Sequence, residues 1–309
     1  MKELKDISLL PYNTFGIDAK AKTFIEYYSL DELRQALTEH KGERILHIGQ
    51  GSNLLFTADF NGVILHSGMA RAKFLDDETV EAQNGLRLDD MIAQLTDMGY
   101  SGLEKLSLIP GEVGASAVQN VGAYGVEAKD VIERVYTIDV ETLEERVFSN
   151  AECKFGYRDS AFKHELKGKY IVTSVVYKVK PGDATKTREE IIETRNGKLP
   201  KVGEVGSAGS FFMNPFVPEE QANALLAQYS DMPHFATPQG VKIPAAWLIE
   251  QCGWKGKTLG GAQVWPKQPL VIVNANNASA QDIIDLAAAV SKSVQEKFGI
   301  CISPEVNYI

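Results

Sequence analysis

The sequence predicts an α+β fold divided into more than one domain, and three observations carry that expectation. The chain has 309 residues, more than the roughly 100 to 200 that a single hydrophobic core usually serves. Its first sixty-odd residues read as a small unit of helix and strand, and its middle third alternates as an antiparallel sheet does. Helical periodicity then dominates the last third, with no internal repeat and no low-complexity tract.

The elements follow in order. Ser29 and Glu32 have the spacing of a capping box, and Leu30, Leu33 and Leu37 share one helical face behind them. ILHIG (45–49) and GVILH (62–66) read as short buried strands. Leu88, Met91, Ile92 and Leu95 recur at helical spacing and stop at Gly99, a residue suited to the left-handed turn after a helix. VIERVYTIDV (131–140), ERVFS (145–149) and YIVTSVVYKVK (170–180) alternate as half-buried strands. PGDATKTR (181–188) is a polar break before a short helical pattern around Glu189–Arg195. Further helices are expected near Pro218, at Pro244, and at Ser279 with Asp282 three residues on, the last ending at Phe298-Gly299. The strand PLVIVN (269–274) lies between the second and third of them.

Composition removes several functions. A net charge of −9 and the absence of any basic run argue against a phosphate-backbone binder, so no nucleic-acid partner is expected. Cys153, Cys252 and Cys301 are dispersed, odd in number and far from any CxxC pair or histidine cluster, so neither a disulfide framework nor a metal site is predicted, and a reducing cytoplasm fits. The N-terminus lacks a signal-type apolar core and no run of about eighteen apolar residues follows, so no membrane role is expected.

Three stretches carry candidate chemistry. Gly49-Gln50-Gly51-Ser52-Asn53-Leu54 follows a predicted strand, but Leu54 stands where a dinucleotide fingerprint needs its third glycine. It reads as a bare turn or as a cradle of backbone amides for an anion, helped by Ser52 and Asn53. IPGEVGASAVQNVGAYG (109–125) holds four glycines and three alanines with no regular period. It is expected as a loop packed over something flat and large, with Ser116, Gln119 and Asn120 free to hydrogen-bond, or else as a compact interdomain connection. SAGSFFMNP (207–215) sets one serine between small residues and two phenylalanines. A nucleophile, a proton donor and an ordinary buried loop compete there, the first weakened because no G-x-S-x-G elbow is present.

In sequence order, TFGIDAKA, IGQGSNLLF, LSLIPGEVGASAVQNVGAYG, GYRDSAFK, KLP, GSFFMNP, WLIEQCGWKG and a terminal SPEVNYI closely resemble the UDP-N-acetylenolpyruvoylglucosamine reductase family, bacterial flavoenzymes that make UDP-N-acetylmuramate. Each motif alone could arise by chance; eight in order, through nearly the whole chain, are specific. The resemblance implies an FAD-binding unit of the vanillyl-alcohol-oxidase type in two parts, residues 1–66 and 67–200. A C-terminal α+β substrate domain, 201–309, would follow, with its last residues returning to the active site.

By the same resemblance Gly49, Gly51, Ser52, Asn53, Gly111, Gly114, Ser116 and Asn120 contact FAD, and Arg195 lies near the flavin or the substrate. NADPH is the reductant and UDP-N-acetylglucosamine enolpyruvate the acceptor. Arg158 and Glu305 stabilise the enolpyruvyl group and Ser210 donates the proton. Lys198 matches a lysine near the substrate diphosphate, and Tyr124, Asn214 and Gln268 match residues lining the substrate cavity. The residue types suit these tasks: arginine stays charged and can grip a carboxylate in two places, while a serine hydroxyl needs a preorganised, water-poor setting beside a basic intermediate. The phenylalanines after Ser210 are expected to keep water off, and Ala208 and Gly209 to admit the substrate. Blander readings stand beside these, a structural pair of Arg158 with Asp159 and a solvated Glu305. Histidines 40, 47, 66, 164 and 234 match no catalytic position and read as structural or exposed.

Two departures from the family pattern stand out. Its commoner form inserts a tyrosine-bearing loop over the bound nucleotide where this chain has only PGDATKTREE, which implies weaker closure over the diphosphate. Position 213 is Met where many members carry lysine, with no loss of proton transfer expected. A monomeric or weakly associated cytoplasmic enzyme is expected. Its rival is a non-catalytic flavin or nucleotide-sugar binding module on the same scaffold, disfavoured because Arg158, Ser210 and Glu305 are all retained.

Overall fold

The structure, a computed structural model, describes residues 1–201 and 203–309. The chain divides into two compact units, the first formed by Met1–Tyr12, Ala19–Gly51 and Ala58–Arg195 and the second by Asn13–Asp18, Ser52–Thr57 and Asn196–Ile309.

The first unit contains two principal sheets. In one, four strands are ordered Lys2–Ser8, Lys20–Tyr27, Phe60–Ser67, Ile45–Ile48, the first pair antiparallel and the others parallel. Helix α1 (Leu30–Glu39) lays Leu33, Ala36 and Leu37 into the apolar cluster containing Ile25, Tyr27, Val63 and Leu65. Its start matches the sequence signal in part: the Ser29 hydroxyl accepts from the Glu32 amide, but the Glu32 carboxylate reaches back one residue further, to the Tyr28 amide.

The second sheet is antiparallel throughout, ordered Glu145–Ser149, Ile132–Asp139, Tyr170–Lys178, Thr79–Gln83, Ala72–Asp76. Helix α2 (Leu88–Asp97) buries Leu88, Met91, Ile92 and Leu95, and Gly99 takes φ +80° just beyond it, as its position predicts. The stretch expected to be an irregular loop over 109–125 is a correction, because Val113–Gln119 forms a short helix, α3. Val113 and Ala117, one turn apart, sink into the cluster that holds Val172, Val175 and Tyr177, and the small neighbours let the helix lie close on the sheet. Helix α4 (Thr185–Lys198) closes the unit at Arg195 and begins earlier than its sequence pattern indicates; it buries no residue, so periodicity could not reveal its extent. Between the long strand and α4 lie only Val179, the two-residue strand Lys180–Pro181 and Gly182, Asp183 and Ala184.

The second unit has a four-stranded antiparallel sheet ordered Gly206–Ser210, Val271–Asn274, Ala262–Val264, Thr258–Leu259. Helices α5 (Glu219–Gln228), α6 (Ala245–Gln251) and α7 (Ala280–Phe298) start where Pro218, Pro244 and Ser279 signal them. At α7 the Ser279–Asp282 capping box is complete and Gly299 ends the helix at φ +65°. Ile283, Leu286, Ala287, Val290 and Val294 join Phe211, Phe212, Val264 and Ile272 in one core. The chain's last strand, Asn307–Tyr308, pairs in parallel with Leu54–Leu55. Among the described residues no helix is long and apolar enough to cross a membrane.

Candidate active site

In the first unit the glycine-rich segments are fastened to one another. The Gly111 amide donates to the Gln50 side-chain oxygen at 2.9 Å, so the 109–125 segment is tied to the loop that carries Gly49 and Gly51. Gly51 and Gly111 adopt φ +64° and +130°, conformations that a side chain would strain. A Cβ on Gly49 would stand 3.0 Å from the Glu112 carboxylate, and one on Gly114 would stand 2.9 Å from Asn84 Cβ, so both places require bare backbone. Gly49 and Gly114 let the segments pack closely on Glu112 and Asn84, and left-handed glycine turns are backbone of the kind that aims amides at a diphosphate. A second sign is electrostatic: Arg195 Nη2 donates to the Leu108 carbonyl at 3.2 Å, while its Nε is a buried donor with no hydrogen-bond acceptor. Burial lowers the basicity of this guanidinium, opposed by Tyr124 and Asp89. An orphaned buried donor in such a setting fits a ligand rich in acceptors. The residues present therefore fit FAD.

Two of the predicted cofactor contacts have their side-chain hydrogen bonds directed elsewhere. Ser116 is buried, donating to the Val113 carbonyl at 2.7 Å and lying 2.6 Å from the Tyr177 hydroxyl. Asn120 is wholly buried: its amide nitrogen donates to the Gly156 carbonyl (2.6 Å) and to Glu127 (3.2 Å), and its oxygen accepts from the Lys129 amide (2.9 Å). With both donors engaged, Asn120 is a clasp for the turn that presents Arg158.

That turn is tight, Gly156 and Asp159 exchanging both backbone hydrogen bonds, with Arg158 itself at φ +55°. The guanidinium donates from Nη2 to the Gly122 carbonyl at 2.6 Å and lies 5.2 Å from the Tyr157 ring, while the Asp159 carboxylate sits 2.8 Å from His164 Nε2. Gly122 has to lack a side chain: a Cβ would stand 2.7 Å from the Val126 carbonyl and 3.0 Å from Arg158 Nη1. Gly122→Ala is expected to displace Arg158 and to lower kcat/KM for the acceptor by about 10²-fold, the cost of a misplacement near 1 Å, with flavin content unchanged. Steady-state kinetics on the flavin-loaded variant, beside its visible spectrum, would check this, and parent-like kcat/KM would remove Gly122 from that role.

In the second unit Ser210 ends the strand Gly206–Ser210 behind an irregularity: Ser207 pairs with Val273 and Ser210 with Val271, so one extra residue bulges between them and Gly209 turns at φ +69°. The bulge re-aims the strand, leaving Ser210 exposed while Phe211 and Phe212 are 0% and 1% exposed. The expectation that these phenylalanines shield the hydroxyl is corrected. They point into the core with Phe15, Ile272 and Val306, and their work is to anchor the strand. Glu305 is brought alongside: its amide donates to the Phe211 carbonyl at 2.7 Å, and Phe212 and Pro304 form a β-bridge. Asn53, predicted to meet the cofactor, donates to the Glu305 carbonyl at 3.3 Å, and its own carbonyl accepts from the Asn307 amide at 3.0 Å. A serine and a glutamate 95 positions apart in sequence thus share one short stretch of backbone pairing.

Among the predicted substrate residues, Tyr124 is 43% exposed at φ +51° and Lys198 is exposed, its carbonyl accepting from Trp265 Nε1 at 3.0 Å. Asn214 accepts from the Ala245 amide at the start of α6, and Gln268 turns the chain before Leu270 and Val271. Sequence reasoning missed the groups beneath the glycines. His66 Nε2 lies 3.1 Å from Glu112 and its Nδ1 3.4 Å from Glu26. Burial raises Glu112 above the usual carboxylate range against the pull of His66; burial pushes His66 down, but Glu112 and Glu26 outweigh it and raise it. No spacing in the sequence links residues 26, 66 and 112; only the sheet brings them together.

Positive-φ glycine turns and an arginine whose buried Nε lacks an acceptor in the first unit, with a serine and a glutamate on adjoining backbone in the second, suit a flavin-dependent oxidoreductase, and the comparisons show one. Residues 22–142 match the FAD binding domain model, and residues 200–309 match the UDP-N-acetylenolpyruvoylglucosamine reductase C-terminal domain. The chain is 47% identical to the UDP-N-acetylenolpyruvoylglucosamine reductase of Bacteroides fragilis, covering 98% of each, and 40% identical to that of Flavobacterium johnsoniae, covering all of both. The fold resembles the crystal structure of the Thermus caldophilus reductase with a TM-score of 0.76, at 24% identity over 99% of this chain and 98% of that one. The chain belongs to the UDP-N-acetylenolpyruvoylglucosamine reductase family. The alignment with the Bacteroides relative runs to 328 positions, longer than this 309-residue chain, so that relative carries residues with no counterpart here.

Proposed function

We infer that the protein reduces the enolpyruvyl double bond of UDP-N-acetylglucosamine enolpyruvate with NADPH, forming UDP-N-acetylmuramate for peptidoglycan synthesis. The observation that carries this reading is full-length identity of 40–47% to reductases of that name, in a chain that sets Ser210 and Glu305 on adjoining backbone. When bound, FAD would supply hydride chemistry, relaying the reducing equivalent of NADPH to the terminal carbon of the enolpyruvyl group. The chain's residues manage the charge and the proton. Arg158 binds the carboxylate and offsets negative charge that grows beside it. Glu305 polarises the same group, and the Ser210 hydroxyl delivers a proton to the carbon next to the carboxylate, so that hydride and proton together saturate the double bond. Lys198 answers the diphosphate, with Tyr124, Asn214 and Gln268 along the sugar nucleotide, and Arg195 beside the flavin. Gly49, Gly51, Ser52, Gly111 and Gly114 form the cofactor's bed, with Ser116, Asn120 and Asn53 holding that bed and its surroundings in shape.

The two sheets of the first unit are proposed as the two halves of the FAD-binding portion, and residues from about 201 onward as the substrate domain. A monomer in the bacterial cytoplasm is proposed, where NADPH and nucleotide sugars are pooled. The test is colour under anaerobic conditions. Yellow protein is expected to bleach with NADPH alone and to regain its colour when the enolpyruvyl nucleotide is added. Yellow protein that NADPH leaves unbleached would instead point to a flavin or nucleotide-sugar binding module.

A further inference from the structure

Helix α4 shows no apolar face, buries no residue, and yet is attached to the first unit. Its attachment is polar and converges on one residue, Leu108. Arg188 grips Asp89 of α2 with two nitrogens, at 2.7 and 3.2 Å, and its Nη1 also donates to the Ser107 hydroxyl at 2.6 Å. The same Asp89 carboxylate accepts the Leu108 amide at 2.8 Å. Two turns further along α4, Arg195 donates to the Leu108 carbonyl at 3.2 Å. Residues seven apart lie on one helical face, so one face of α4 controls both polar atoms of residue 108, one through Asp89 and one directly.

Leu108 is where such control is needed. Its φ of +56° is uncommon for a residue with a side chain. It is followed by Ile109, Pro110 and then Gly111, whose amide is tied to Gln50. If the Leu108 peptide relaxed, Gly111 and the start of α3 would turn with it. The arginine and the acid are largely buried, 13% and 19% exposed in their side chains, so their pairing is not dissolved by solvent. Burial alone would raise Asp89, but the Arg188 pair and the Leu108 amide outweigh it and hold the acid below the usual carboxylate range.

We propose that the Arg188–Asp89 pair is a latch that holds the Leu108–Gly111 peptide in its flavin-binding form, making Arg188 and Asp89 positioning residues for the cofactor. The latch rests on the FAD reading of the site and is independent of which acceptor the enzyme reduces. Preorganisation of this kind strengthens binding by removing the ordering that the ligand would otherwise have to impose.

The test is reconstitution of flavin-stripped protein with FAD, followed by quenching of flavin fluorescence, without nicotinamide or sugar present. A failed reductase assignment therefore leaves the readout standing. Arg188→Met and Asp89→Asn are each expected to raise the FAD dissociation constant by about tenfold, and the double variant by no more than the larger single effect, the signature of a coupled pair. The visible circular dichroism of bound flavin should change while the far-ultraviolet spectrum of the stripped protein matches the parent. Arg188→Lys keeps the charge but loses the two-pronged grip and gives a gentler rise of about threefold, which covers the case of a methionine variant that does not fold. FAD affinity within twofold of the parent in folded Arg188→Lys and Asp89→Asn, or effects of the two single changes that simply add, would overturn the latch.

Discussion

Ser210→Ala slows acceptor-dependent reoxidation of the flavin by about 10²- to 10⁴-fold, the range that a positioned general acid contributes, while bleaching by NADPH proceeds at the parent rate. On the proposed roles the two halves of the cycle separate, because a proton-donating hydroxyl serves only the half in which carbon takes a proton. Ser210 is exposed at the end of its strand, so its replacement opens no hole in the core, and the anchoring phenylalanines and Gly209 remain in place. Stability and flavin content should therefore match the parent. Turnover in deuterated water makes the result decisive: product made by the variant at near-parental speed with full label at the carbon beside the carboxylate would take the donor role from Ser210 and give it to Glu305, which its amide bond to the Phe211 carbonyl places alongside.

The second large effect concerns acid. His47, on the strand Ile45–Ile48, lies 2.8 Å from the Tyr27 hydroxyl, which also accepts from Asn84. Enclosed beside that hydroxyl, the imidazole is neutral. Burial, with the neighbouring His66 adding to it, drops His47 to about 3 from an ordinary 6.5. The sign follows from proton counts: between those two values the unfolded chain binds a proton that the folded one refuses, so stability falls as pH falls. Its magnitude is on the order of 5 kcal/mol across the window, at about 1.4 kcal/mol per unit. The His66–Glu112 site acts in the opposite direction over a higher range. A raised histidine stabilises fully below its unfolded value and loses that contribution as pH climbs through the folded one. His47→Gln keeps a hydrogen-bond partner for Tyr27 and removes the titration, so its melting temperature should fall less steeply than the parent's from pH 6.5 to 4. Parallel slopes for parent and variant would mean that carboxylates, and not this imidazole, govern the acid transition.

Where burial and period coincide, the sequence was legible. The antiparallel strands around Val135 and Val175, the capped start of α7 and the stop at Gly99 were readable because each is written within a dozen residues. Helix α4 was only partly readable because ion pairs and not an apolar face hold it, and α3 was hidden because alanine and glycine give no period. The motifs name candidate residues, but they cannot say which side chains face a ligand and which brace the frame. Asn120 and Ser116 look like binding residues in a string of letters and prove to be fully engaged inside the protein. The reverse holds for Glu112, whose partner His66 lies forty-six positions away.

The pairing of Asn307–Tyr308 with Leu54–Leu55, and of Asn53 with the Glu305 carbonyl, has a temporal consequence. A ribosome delivers the two sides of that seam 252 residues apart, so the second unit cannot be assembled before residue 305 and the strand after it have been made. Joining such distant segments is entropically slow. The backbone at 305 is therefore oriented long after the glycine-rich segments of the first unit have been synthesised.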